Sequence, residues 1–167
     1  MYKDNTKVKG ALFNGTVLDR ILLNGVEVFK RVLDVFKNGV LDESCSLGGD
    51  AVIADGTIYN KASTSTADLS VHSHCSINMD LTYYKLLTIK GEYWYSGEDS
   101  DGNSITYGID DSWANYLTLG ENGTKYTIEL DVTEYTGVHE LIIHLITRMV
   151  TSDPVFLTNY ISEITLE

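Results

Sequence analysis

His72 and His74 stand two residues apart, so on an extended strand both imidazoles project from one face. Two imidazoles on one face can help to hold a transition metal, but a third ligand must come from elsewhere and nothing local supplies it. Hydrogen bonding to water or to a hydroxyl-rich ligand uses the same pair equally well. The run Asp99-Ser100-Asp101-Gly102-Asn103-Ser104 places oxygen ligands at positions one, three and five, with Asp110 at position twelve. Calcium loops begin with that spacing. Ser104 stands where such a loop has glycine, no helical pattern flanks it, and a polar hairpin tip accounts for the same letters. No cofactor is expected, and Ca²⁺ on Asp99, Asp101, Asn103 and Asp110 is the one candidate that the sequence offers. His139 and His144 have no motif around them.

Aromatic residues carry the other candidate chemistry. Along Leu86–Tyr95, Leu87, Ile89, Tyr93 and Tyr95 share one parity, while Trp94 falls with Thr88, Lys90 and Glu92 on the polar side. An outward indole offers a flat apolar face with an N–H at its edge, which suits stacking on a sugar ring. Tyr116 lies on the outer parity beside Thr118, and Trp113 falls in the turn-like Asp111-Ser112-Trp113-Ala114-Asn115. Two other placements fit the same letters: a bulge that turns Trp94 into the core, or a subunit interface that covers it. The expected saccharide site is Trp94, Trp113 and Tyr116, with His72 and His74.

Enzyme templates fail. The chain has no Gly-x-Ser-x-Gly, no phosphate-binding glycine loop and no His-Glu-x-x-His. Carboxylate pairs of the glycosidase kind leave no linear signature, but acids on outward strand positions are ordinarily solvated charges. A non-catalytic protein is expected.

The elements that must position these residues are strands. In Thr124–Val132 the apolar Tyr126, Ile128, Leu130 and Val132 alternate with Lys125, Thr127, Glu129 and Asp131. In Asp68–Asp80, Leu69, Val71, Ser73, Cys75, Ile77 and Met79 form one face, and Ser70, His72, His74, Ser76 and Asn78 the other. Leu86–Tyr95, Ile105–Ile109, Tyr116–Leu119, Glu140–Met149 and Val155–Leu166 read similarly, and no stretch of twelve residues is amphipathic with helical period. Seven or eight such strands predict an all-β fold, an antiparallel β-sandwich with jelly-roll-like connections. At 167 residues and 43% hydrophobic, the chain can bury a core of that size.

The first forty residues differ in style. Leu12-Phe13-Asn14-Gly15 recurs as Leu22-Leu23-Asn24-Gly25, and Phe36-Lys37-Asn38-Gly39 offers a third copy. Asn-Gly tolerates the positive φ angles of a type I′ turn, so the repeats predict a small β-meander. The expected division is an N-terminal arm over 1–40 for docking or oligomerisation, a linker over 41–49 and the sandwich over 50–167. Charge follows it: residues 1–40 carry seven Lys or Arg against four Asp or Glu, and the remainder five against twenty. So acidic a body repels nucleic acid and anionic membranes.

Met1-Tyr2-Lys3-Asp4-Asn5-Thr6-Lys7 lacks the apolar stretch of a signal peptide, so synthesis in the cytoplasm is expected. The apolar run Leu141–Val150 is interrupted by His144, Thr147 and Arg148 and is too short to span a bilayer. Cys45 and Cys75 make no disulfide framework.

Two stretches carry a resemblance. Leu23-Asn24-Gly25-Val26-Glu27-Val28-Phe29-Lys30-Arg31 resembles the opening of tail and baseplate proteins from phages of Gram-positive bacteria. Asn78-Met79-Asp80-Leu81-Thr82-Tyr83-Tyr84-Lys85-Leu86-Leu87-Thr88-Ile89 is similar to an element of their jelly-roll modules, and Tyr160-Ile161-Ser162-Glu163-Ile164-Thr165-Leu166 resembles the last strand of carbohydrate-binding jelly rolls. The resemblance implies a virion appendage that binds a bacterial cell-surface glycan and meets other virion proteins through residues 1–40. An arm this small cannot cover both its faces and its edges are open, so a homo-oligomer is expected, with a trimer favoured by likeness to phage fibres. A purely structural virion protein, or a bacterial carbohydrate-binding module, are the alternatives the resemblance leaves open.

Overall fold

The computed structural model describes residues 11–13, 16–18, 20–23, 26–30, 32–64, 70–96, 103–110, 115–148 and 155–167. Every regular element among them is a β-strand. Near the N-terminus β1 (Ala11–Phe13) pairs with β2 (Thr16–Leu18), and β3 (Arg20–Leu23) with β4 (Val26–Lys30), each as a two-stranded antiparallel sheet. The remaining strands are β5 (Leu33–Lys37), β6 (Val40–Leu41), β7 (Ser46–Gly49), β8 (Val52–Ala54), β9 (Thr57–Thr64) and β10 (Ser70–Asp80). They continue as β11 (Leu86–Tyr95), β12 (Asn103–Ile109), β13 (Asn115–Leu117), β14 (Thr124–Asp131), β15 (Val138–Arg148) and β16 (Val155–Leu166).

These twelve strands form two antiparallel sheets. One runs β13-β12-β15-β10-β7. The other runs β14-β11-β16, and the far edge of β16 is then shared: β9 covers Val155–Ile161, with β8 outside it, and β5 covers Glu163–Leu166, with β6 outside it. From β9 onward nearly every connection crosses from one sheet to the other, which gives the expected jelly-roll-like sandwich. Period-two alternation explains why: each long strand has one apolar face, and only a second sheet can cover it. Ile77 and Met79 of β10 and Leu141, Ile143 and Leu145 of β15 share one buried core with Leu87, Ile89 and Tyr93 of β11 and Leu157 and Ile161 of β16. Each such aliphatic side chain contributes about 1.5–3 kcal/mol by leaving water.

The expected domain boundaries do not match this pairing. Residues 33–49, expected to divide between arm and linker, carry the sandwich strands β5, β6 and β7. Val35 and Phe36 are fully buried, Phe36 pairs with Ile164, and β7 pairs with β10 from Ser46 to Gly49. Asn38-Gly39 makes the expected turn, with φ of 52° and 79°, but it joins β5 to β6 within the large sheet. The earlier hairpins pair as Phe13↔Thr16 and Leu23↔Val26 and form two separate sheets rather than one meander; Asn14-Gly15 and Asn24-Gly25 lie outside the described residues.

Candidate functional site

Trp94 stands on the outer face of the seven-stranded sheet, 46% exposed, as its parity requires. Its position is braced from the loop that precedes β14. Gly123 has φ +75°, and a Cβ there would lie 2.8 Å from Trp94 Cζ2, so the indole rests where only glycine leaves room. That loop is tied to both chain neighbours of Trp94. Gly123 N–H donates to the Tyr93 carbonyl at 2.9 Å, Tyr95 N–H donates to Asn122 Oδ1 at 2.6 Å, and Asn122 Nδ2 donates to the Tyr95 carbonyl at 2.7 Å. Gly120 N–H also donates to the Tyr93 hydroxyl, and the Tyr95 hydroxyl donates to the Gly120 carbonyl at 2.9 Å. The indole N–H donates to Glu92 Oε1 at 3.3 Å. A side chain held at several points loses little entropy when a ligand settles on it.

Cross-strand partners share a face, so the register extends this surface. Glu92 pairs with Tyr160, Tyr160 with Tyr59, and Tyr59 with Val52, a row crossing four strands. The Tyr59 and Tyr160 rings sit 5.3 Å apart, tilted by 45°. One step along the strands Trp94 pairs with Thr158, and Thr158 with Lys61. Lys61 Nζ lies 5.0 Å above the Phe156 ring. Burial, and then the neighbouring Tyr59 and Glu92, push the Tyr160 phenol up, so it stays a proton donor. Sequence reading missed Tyr59, Tyr160 and Phe156. The outward parity of Tyr59, Lys61 and Ser63 was readable within Thr57–Thr64. That of β16 was not, because the register shifts between Lys90 and Gly91 and leaves Ser162 unmatched.

The other expected site residues lie elsewhere. His72 and His74 face outward from the five-stranded sheet, across the packed core from Trp94. Tyr116, 69% exposed, shares their face through the row Tyr116–Thr106–His144–His74. One site cannot hold these residues and Trp94 together, because the sheets present opposite surfaces. Trp113 lies outside the described residues. His144, which no motif marked, joins the pair: His72 Nδ1 and His144 Nε2 are 3.2 Å apart. Burial, and then His72 and His74, hold the His144 imidazole below its ordinary range. A shallow depression of about 280 Å³ opens beside it, lined by His74, Ser76, Glu140, Ile142 and His144.

Among the described residues no group of three or more His, Cys, Asp or Glu is placed to hold a metal ion. The expected calcium set is not brought together. Asn103 and Asp110 flank the length of β12, about 23 Å apart on an extended strand, and Asp99 and Asp101 lie outside the described residues. Asn103 Oδ1 accepts from the Thr147 hydroxyl at 2.6 Å, and Asp110 engages His139 Nδ1 at 2.8 Å and the Glu140 N–H at 3.1 Å. Cys45 and Cys75 are free thiols, and burial pushes Cys75 up to about 12.

No family model matches the chain, and no curated protein matches it. The chain is similar to several solved structures. A family 61 carbohydrate-binding module in complex with β-1,4-galactotriose is 12% identical, with a TM-score of 0.41 over 75% of this chain and 88% of that one. A family 29 carbohydrate-binding module from Piromyces equi is 13% identical, with a TM-score of 0.38 over 81% and 88%. The enzymatically active domain of tailspike protein 4 from bacteriophage CBA120 is 9% identical, with a TM-score of 0.38 over 80% of this chain and 21% of that one.

Proposed function

We propose that this protein is a non-catalytic β-sandwich that binds a saccharide on the outer face of its seven-stranded sheet. One observation carries the reading: Trp94, an exposed indole held in place by Gly123, Glu92 and a loop bonded to Tyr93 and Tyr95. An aromatic face fixed in advance and bordered by polar groups stacks on the C–H face of a sugar while those groups meet its hydroxyls. The finer part is that the sandwich serves a virion, with the segment before Val32 as its mount and a bacterial surface glycan as its target. That part rests on the sequence resemblance and on the basic character of the N-terminal segment against an acidic body.

A structural role between subunits is the second reading. Val52, 52% exposed, stands with Val40 and Ile53 on the short outer strands β6 and β8, where apolar side chains and an open edge invite a neighbour. Binding of the full chain to whole Gram-positive cells and to purified wall polysaccharides, with Trp94→Ala as control, separates the two. Saturable binding lost in the folded variant supports the saccharide site. Binding equal in both proteins removes it.

A further inference from the structure

The register makes the surface around Trp94 longer than one sugar needs. Trp94 on β11, Tyr160 on β16, Tyr59 on β9 and Val52 on β8 all face outward and cross three interstrand steps, about 14 Å. Among the described residues both ends are open: Trp94 and Val52 are exposed. Trp94 is offset one step from the row of Tyr160, Tyr59 and Val52, so the lane bends between Glu92, which ends that row, and Lys61, which shares the row of Trp94.

Resting on the saccharide reading above, we infer that this lane takes an extended internal segment of a polysaccharide, several rings long and equatorially linked, rather than a chain end or a single sugar. Equatorial β-1,4 linkages keep successive rings in one flat ribbon, whose apolar C–H faces can lie on a row of aromatic and aliphatic side chains. Their hydroxyls then project sideways, towards Glu92 and Lys61. Axially linked α-1,4 chains coil, so they bring only one ring at a time onto a flat row. A lane open at both ends also lets the polymer run on past the protein.

Isothermal titration of the full chain with cellohexaose, mannohexaose, xylohexaose and maltohexaose, and with the disaccharide of each series, tests this. At least one β-1,4 hexaose is expected to bind about tenfold or more tighter than its own disaccharide, because the added rings cover Tyr59 and Val52. Tyr59→Ala should weaken that hexaose about fivefold or more and leave the disaccharide unchanged. Val52→Ser, on an exposed edge, should repeat the effect more weakly and serves if Tyr59→Ala does not fold. Equal affinity for hexaose and disaccharide would overturn the lane while leaving a one-ring site at Trp94 intact, as would a preference for maltohexaose. Binding to none of these probes or to wall polysaccharides would remove the saccharide reading itself.

Discussion

Gly123→Ala tests the brace under Trp94 without touching the indole's own chemistry. Two costs add. An alanine held at φ +75° is strained by about 1–2 kcal/mol, as for any L-residue in the left-handed region. Its Cβ would also stand 2.8 Å from Trp94 Cζ2, closer than real Cβ contacts, so the ring must move by a good fraction of an ångström. The indole is an exposed end and can give way, so overpacking adds little to stability, and a total loss of about 1–2 kcal/mol is expected. Binding should suffer as well. A displaced ring leaves Glu92, regains rotational freedom and must be ordered again by the ligand, which costs about 0.5–1.5 kcal/mol, or about two- to tenfold in affinity. Urea denaturation measures the first quantity, and titration with the best-binding wall polysaccharide the second. In a Trp113→Phe background, tryptophan emission reports on Trp94 alone and should shift to the red. Unchanged emission and affinity beside the expected loss of stability would show that Trp94 holds its pose without Gly123, and the brace argument would fail.

Gly91→Ala should destabilise the fold by about 1–3 kcal/mol or more, read by urea denaturation, because the new Cβ would stand 2.5 Å from the Tyr160 carbonyl oxygen and 2.6 Å from the Tyr126 hydroxyl; a neutral effect would mean that β11 and β16 separate easily there. NMR titration of the histidines should find His139 above the ordinary imidazole range, chiefly through its hydrogen bond to Asp110, and His144 below it through burial. Asp110 is in turn held below the usual carboxylate range, chiefly by His139. The signs fix the windows: the Asp110–His139 pair supports the fold between the ordinary carboxylate and imidazole values, fading as pH falls through the lowered Asp110 value or rises through the raised His139 value. His144 favours the fold above the ordinary imidazole value and loses that contribution as pH falls towards its lowered one. Asp110→Asn should return His139 to the ordinary range; an unaltered titration would sever the pair.

Much of the fold was legible because strand faces and tight turns are local properties. Parity alone put Tyr126 and Ile128 inside and Trp94 outside, and Asn38-Gly39 turns where its chemistry requires. A fourth Asn-Gly, Asn122-Gly123, went unread, although it holds the candidate site together. Which strand lies beside which is another matter. Phe36 belongs to the sandwich because it pairs with Ile164, and no window of sequence contains both. The same limit split the expected site: Trp94 and Tyr116 share an outward parity, but their strands belong to different sheets. Tyr59 and Tyr160 gather beside Trp94 only because β16 lies between β11 and β9. A period of two decides how a side chain faces relative to its own neighbours, so the sequence determined the faces, the turns and the all-β class. Sheet membership is set by burial of apolar faces between segments far apart in the chain, so only the tertiary structure decided which outward residues share a surface.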